Sequence, residues 1–409
     1  MILAHNGKPK GWFLMKASCV SSRRLALMLL LLFIACHSAQ ALTETVLYSF
    51  TGGVDGKIPS GLLADSSGTL YGTTQAGGAS GLGTVFSLPP SGKTTVLHDF
   101  RGGTDGAAPS FHASLIRDAV GNLYGTTTQG GASNQGTVFE ITAGGNEKVL
   151  YSFSGGTDGG NPQAGLVQDA KGNFYGTTAV GGAFGAGTVF KLTQAGKEQV
   201  LYSFSGGTDG AAPVAPLVLD ALGNLYGSAT LGGGFHLHCP KQGCGVIFEV
   251  SPTGTEKVLL QFFKFDYGVG PEAPVLLDAN GNVFGTTFMG GASAYGLLFM
   301  ITPAGQEVWL HYFRDHNLTG DGGYPIGPLV RDVKGNFYGV TYKGGTHNQG
   351  TVFMCTPNHL ETVLYNFTAA SDGGLPQSGL AADAQGNYYG TTLSGGAFGQ
   401  GTIFKLTIP

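Results

Sequence analysis

A unit of about fifty residues is written seven times along this chain. Tyr-Gly or Phe-Gly recurs at Tyr71, Tyr124, Tyr175, Tyr226, Phe284, Tyr338 and Tyr389, at intervals of 53, 51, 51, 58, 54 and 51 residues. A period of that length marks a solenoid or a propeller, in which no single copy buries its own apolar face. Each copy carries four short runs with strand character; in the first copy these are residues 60–65, 69–74, 83–88 and 94–100. Four strands per copy predicts a propeller blade, so the fold class is read as all-β: a seven-bladed β-propeller of four-stranded blades. Residues 42–409 form one propeller domain on this reading, and residues 1–41 an N-terminal extension and signal peptide.

The ends of the repeat array predict how the ring closes. The first copy is preceded by residues 45–50 (TVLYSF), whereas the last stops after residues 401–406 (GTIFKL), one strand short. The N-terminal strand should therefore pair with the C-terminal one, removing a sheet edge that would invite association. First and second strands are joined by Asp-x-x-Gly followed by Asn or Thr, as at Asp118 to Asn122, which is tight-turn chemistry. Phe86, Phe139, Phe190, Phe248, Phe299, Phe353 and Phe404 recur once per copy and are expected to pack between blades.

Composition sets the compartment and excludes some partners. Charged residues make up only 11% of the chain and the net charge is -4, with no long basic run, so nothing marks a nucleic-acid surface. Lys16, Arg23 and Arg24 precede an apolar run over residues 25–36 and the small-residue sequence Ala39-Gln40-Ala41, the layout of a secretory signal cleaved after Ala41. Cys36 raises lipidation as an alternative, and Met15 competes with Met1 as the start. The expectation is an exported chain, periplasmic, extracellular or at the cell surface, monomeric and with no transmembrane segment once cleaved.

The tandem pattern Leu-Tyr-Gly-Thr-Thr, Gly-Gly-Ala and Gly-Thr-Val-Phe resembles the GloVer tandem-repeat family of exported bacterial proteins over the whole propeller region. That resemblance implies a surface-anchored repeat protein and no established enzymatic activity. No sorting signal follows Phe404, which leaves the implied anchoring without support here. The Gly-Gly doublets also resemble kelch repeats more weakly, but the kelch tryptophan is missing, Trp12 and Trp309 being the only two.

Candidate chemistry falls on the face that carries the longer loops. Asp55, Asp105, Asp158, Asp209, Asp321 and Asp372 each stand four residues before a proline, and Asp266 five before one. Two readings are open for these aspartates: each holds its own Asp-Gly turn, or together they offer oxygen ligands to calcium or to sugar hydroxyls. Residues 232–245 (GGGFHLHCPKQGCG) form the longest departure from the repeat; Cys239 and Cys244 there are read as a disulfide, with zinc or copper on His236, His238, Cys239 and Cys244 as the alternative. Phe111, His112, Phe235, Tyr295, residues 314–316 with His316, Tyr324 and His347 are the remaining one-off features of this face, able to stack on sugars or to fill gaps between blades. Arg117, Gln168 and Arg331 alone break the apolar inner strands, and Cys355 is read as a buried free thiol.

No grouping of nucleophile, base and acid emerges, and no resident cofactor is called for. The reading is a non-catalytic binding or interaction module for carbohydrate or a surface protein. An extracellular polysaccharide hydrolase or lyase and a purely structural surface protein are the alternatives.

Overall fold

The computed structural model describes residues 42–408 except 111, 113, 235–238, 240, 241, 315–319 and 384. Calls on residues 1–41, including the signal, Cys36 and Met15, lie outside the described residues. Seven antiparallel four-stranded sheets follow one another along the chain, each running from an inner strand through a second and a third to an outer one. In the third blade these are Val167–Gln168, Phe174–Thr178, Thr188–Leu192 and Glu198–Ser203. The seventh blade takes its outer strand from Thr43–Ser49, which pairs with Thr402–Thr407 from Thr43↔Thr407 to Ser49↔Thr402.

Outside the sixth blade, where Gly322–Arg331 is continuous, inner strands are shorter than their sequence suggests. Of the run expected over residues 60–65 only Leu63–Ala64 is strand, and a second short strand, Lys57–Pro59, precedes the run; both pair with Leu70–Ala76. Between them Ser60 stays bound to Thr73, its N–H donating to the Thr73 carbonyl at 2.9 Å and its hydroxyl lying 2.6 Å from that of Thr73. Neighbouring inner strands crowd one another: a Cβ on Gly165 would lie 2.7 Å from the Ser114 carbonyl oxygen of the preceding blade.

The apolar core lies between blades. Tyr124, Val138 and Phe153 of the second blade form one cluster with Leu166, Phe174 and Phe190 of the third. Its repeating unit is a pair of rings. The phenylalanine that ends each outer strand meets the third-strand phenylalanine of the next blade edge-on: Phe50–Phe86, Phe100–Phe139, Phe153–Phe190, Phe204–Phe248, Phe262–Phe299, Phe313–Phe353 and Phe367–Phe404, at centroid separations of 5.0–5.6 Å. All fourteen rings are wholly buried. Edge-on pairs of this kind add roughly 0.5–1.5 kcal/mol each beyond their area. The glycine of Tyr-Gly makes the room: a Cβ on Gly176 would sit 2.7 Å from the tip of the Phe190 ring.

Outer strands are bent at one place in every blade. Pairing slips beside the third-strand phenylalanine, as between Val189 and Phe190, where Leu201 has no partner. Such a bulge sharpens local twist and carries the outer strand toward its neighbour.

Two outcomes check this account. Phe190→Ala should lower unfolding free energy by about 3–5 kcal/mol in urea titration, as large cavities in a packed core do. Deleting residues 43–49 should leave the edge Thr402–Thr407 bare and produce concentration-dependent association in light scattering; a monodisperse truncated chain would show that the strand does not close the ring.

Candidate ligand-binding face

Each Asp-x-x-Gly hairpin is tied by one carboxylate. Asp118 Oδ1 accepts from the N–H groups of Val120, Gly121 and Asn122 at 2.8–3.0 Å, and Oδ2 accepts from Asn122 Nδ2 and the Tyr124 hydroxyl at 2.9 and 3.0 Å. The tyrosine of Tyr-Gly thus caps its own hairpin. In the fifth copy Phe284 has no hydroxyl to offer, and Arg331 of the sixth blade reaches Asp278 at 3.2 Å while lying over the Phe284 ring. Arg117 likewise lies over Tyr71 and 3.9 Å from Asp65. These two arginines join adjacent blades, a role that inner-strand position alone did not disclose.

The aspartates of the long loops hold those loops together beside the outer strands. Tyr48, Tyr151, Tyr202 and Tyr365 donate to Asp55, Asp158, Asp209 and Asp372 at 2.9–3.2 Å, and His98 and His311 stand 3.1 and 3.3 Å from Asp105 and Asp321. Each aspartate also accepts a backbone N–H from the start of its loop: Thr51, Arg101, Ser154, Ser205, Arg314 and Thr368 are the donors. Asp266 departs from the set. It is exposed on the 3-10 turn Phe265–Tyr267, and Leu260 stands where the other outer strands carry tyrosine or histidine.

Inward from these aspartates, the residue before each proline adopts a backbone that side chains rarely accept. Ile58, Ala108, Asn161, Ala212, Tyr324 and Leu375 have φ between 49° and 61°, and Gly270 completes the series at 64°. A residue before proline normally stays extended, and a β-branched one at positive φ is strained. The backbone is compensated from the preceding blade: Asn161 N–H donates to the Gln135 carbonyl and Tyr324 N–H to that of Tyr295, both at 2.7 Å. Apart from Tyr324, this ring was missed in the sequence. Its signal was there, in a variable position between a constant glycine and a constant proline.

A polar cleft of about 430 Å³ opens at Asn161. It is lined by Gln75, Ser110, Thr128, Gln129, Asn134, Gln135, Asn161 and Gln163, from the first three blades, all uncharged amides and hydroxyls. His112 follows close on Ser110, its N–H donating to the serine hydroxyl at 3.2 Å, and burial pushes its imidazole down to about 4. Across the face, Tyr324 packs against Phe288 and Tyr295 at 5.2 and 5.5 Å. His347 is exposed beside the Thr346 hydroxyl. The hairpin face, expected to hold little besides tight turns, has a larger hollow of about 540 Å³ between the fourth and fifth blades, half of it apolar, at Tyr226, Lys257 and Pro303.

Cys239 and Cys244 are joined in a disulfide, Cα to Cα 5.1 Å, with Cys244 buried against Ile247 and Phe262. Phe111, Phe235, His236, His238 and His316 lie outside the described residues, and the disulfide takes Cys239 and Cys244 out of the zinc or copper set raised as its alternative. Cys355 is a free, buried thiol.

A family model described as the Gloeobacter/Verrucomicrobia repeat matches residues 35–239 and 236–409. No curated protein matches the chain. Among solved structures it is similar to the extracellular domain of a candidate one component system from B. thetaiotaomicron, at 10% identity and a TM-score of 0.56, over 90% of this chain and 40% of that one. It therefore spans about two fifths of that protein chain, and the likeness is one of fold. A candidate gluconolactonase matches at 12% identity and a TM-score of 0.40, over 72% of this chain and 87% of that one.

Carboxyl groups at the blade junctions set a pH dependence. Glu44, Glu198 and Glu256 open outer strands and keep their protons up to about 7, against an ordinary 4.5, first because they are buried and then because Asp372, Asp158 and Asp209 lie close. A carboxyl group raised in this way contributes stability that is complete below about pH 4.5 and lost as pH rises through about 7. The hairpin aspartates work in the opposite sense. Burial opposes the charge on Asp118 and Asp169, but bonds from Asn122, Tyr124, Asn173 and Tyr175 outweigh it and hold both below 3.8, so their contribution is present above 3.8 and lost on acidification. Thermal stability should therefore peak at about pH 4–5 and decline toward pH 8. Glu198→Gln should raise Tm at pH 8 and flatten the alkaline limb, whereas an unchanged limb would mean that this carboxyl is already ionised in the fold.

Proposed function

The chain belongs to the Gloeobacter/Verrucomicrobia repeat family, and from that premise we propose that it is a non-catalytic, exported binding propeller whose ligand is a neutral carbohydrate. The observation that carries this reading is the uncharged cleft beside Asn161. A ligand bearing a phosphate or carboxylate would enter that cleft without a counter-charge, and burying an unpaired charge is costly. Amides and hydroxyls instead pair one for one with sugar hydroxyls, each offering both donors and acceptors. Gln129 and Gln163 do most of this work, Gln129 lying exposed at the second blade's loop and Gln163 following Pro162 into the third blade.

The loop carrying Asn161 is pre-ordered by its bond to Gln135, so binding does not have to order it, and a rigid site loses less entropy than a mobile one. The Phe288, Tyr295 and Tyr324 cluster offers a second apolar surface for a long chain of sugars. The fold shared with an extracellular domain is consistent with an extracytoplasmic setting.

The purified protein should bind one class of neutral glycan saturably on a glycan array, releasing no product. Gln129→Ala combined with Gln163→Ala should weaken that binding at least about tenfold, since each lost polar contact is worth roughly 1 kcal/mol, with an unchanged Tm. Failure to bind any neutral glycan, or liberation of reducing ends during incubation, would overturn the reading.

A further inference from the structure

Two blade junctions differ from the other five in a way that creates a ligand set. At four junctions a tyrosine hydroxyl faces the loop aspartate, and at one the position is Leu260; at the remaining two it is a histidine. In those two the next outer strand begins with a glutamate. His98, Asp105 and Glu147 can bring one nitrogen and two carboxylate oxygens within 4.8 Å of one another, and His311, Asp321 and Glu361 do the same.

We propose that each of these two junctions is a site for a first-row divalent transition metal, held by one imidazole and two carboxylates. Three independent features point there. The first is donor chemistry: a carboxylate pair beside an imidazole nitrogen suits zinc and its neighbours, whereas calcium takes oxygen ligands alone. The second is an unmet demand. One oxygen of Glu147 and one of Glu361 are sealed from solvent with no hydrogen-bond partner, and a buried carboxylate oxygen left unpaired is costly. Glu44, Glu198 and Glu256 share this feature at junctions without histidine, where only a proton is on hand to neutralise the pair. Histidine adds the lone pair that lets a cation replace that proton.

The third feature is a set of contacts, shared by both places, that fixes the aspartate and the imidazole. Asp105 accepts from the backbone N–H of Arg101 and Gly106 at 2.9 and 2.7 Å, and Asp321 from that of Arg314 and Gly322 at 3.1 and 2.7 Å. Each imidazole is set edge-on against the phenylalanine two residues on, 4.8 Å between centroids. Carboxylates and imidazoles fixed by such outer contacts make better ligands. Zinc ligands at about 2.0–2.2 Å place neighbouring donor atoms about 3.4 Å apart, so the three donors have to close by about 1.4 Å at most. Three protein ligands leave a fourth position for water.

Calorimetric titration of the metal-stripped full-length protein with Zn²⁺ tests this, in a background carrying His236→Ala and His238→Ala so that the long loop contributes nothing. Two ions per chain are expected. His98→Tyr with His311→Tyr reproduces the chemistry of the other junctions and should abolish both sites, each single change removing one. Glu147→Gln with Glu361→Gln preserves shape and should weaken both at least about tenfold. Uptake of fewer than two ions by the background protein, or uptake unchanged in the double tyrosine variant, would overturn the proposal.

Discussion

Everything in this molecule depends on a ring of phenylalanine fitting into a space that a glycine leaves empty. Phe190 fills the volume above Gly176 and is met there by Phe153 from the preceding blade, and the same three-residue contact joins every blade to the next. A blade has no sealed core of its own; its apolar faces become an interior only when a neighbour is present. The glycine therefore matters less for its backbone freedom than for its missing side chain.

Around that contact the fold separates what must be constant from what is free to vary. Hairpin aspartates, and the junction aspartates that face tyrosine, spend their oxygens on local N–H and hydroxyl groups, so the turns hold their shape whatever stands between them. The residue before each proline sits on such a held loop at positive φ and differs from copy to copy: isoleucine, alanine, asparagine, alanine, glycine, tyrosine and leucine. Strain at Ala108, Asn161, Ala212, Tyr324 and Leu375 is offset by an N–H bond to a carbonyl of the preceding blade. A scaffold of this kind can change its recognition surface one blade at a time without disturbing the packing that supports it.

Much of this was legible in the chain because repetition multiplies weak cues. The period gave blade number, the unmatched strands at the two ends gave closure, and the phenylalanine series gave the interface between blades. What escaped was relational. That Arg331 serves Asp278 of the preceding blade, 53 residues away, follows only once Phe284 is seen without a hydroxyl. The inner strand over residues 60–65 reads as continuous, yet regular pairing is confined to Lys57–Pro59 and Leu63–Ala64, with Ser60 held on Thr73 between them. The aspartates read first as turn residues and second as ligands, and their partners show what each does: Asp158 accepts from Ser154 and Tyr151, within its own loop and strand. The amide cleft assembles from three blades, and no spacing along one repeat encodes it.

Closure by the first strand also dictates an order of events. Ser49 accepts a hydrogen bond from Ala397, 348 positions later, so the earliest strand of the propeller to be synthesised is the last to find its partner. Six blades can assemble progressively from neighbours in sequence, but the seventh waits for the final residues of the array. The entropy of joining such distant segments grows only with the logarithm of their separation, so closure is slow to arrive rather than weak once made. Until then the molecule is an open arc with one exposed sheet edge and one uncovered aromatic face, and its vulnerability to self-association is confined to that interval.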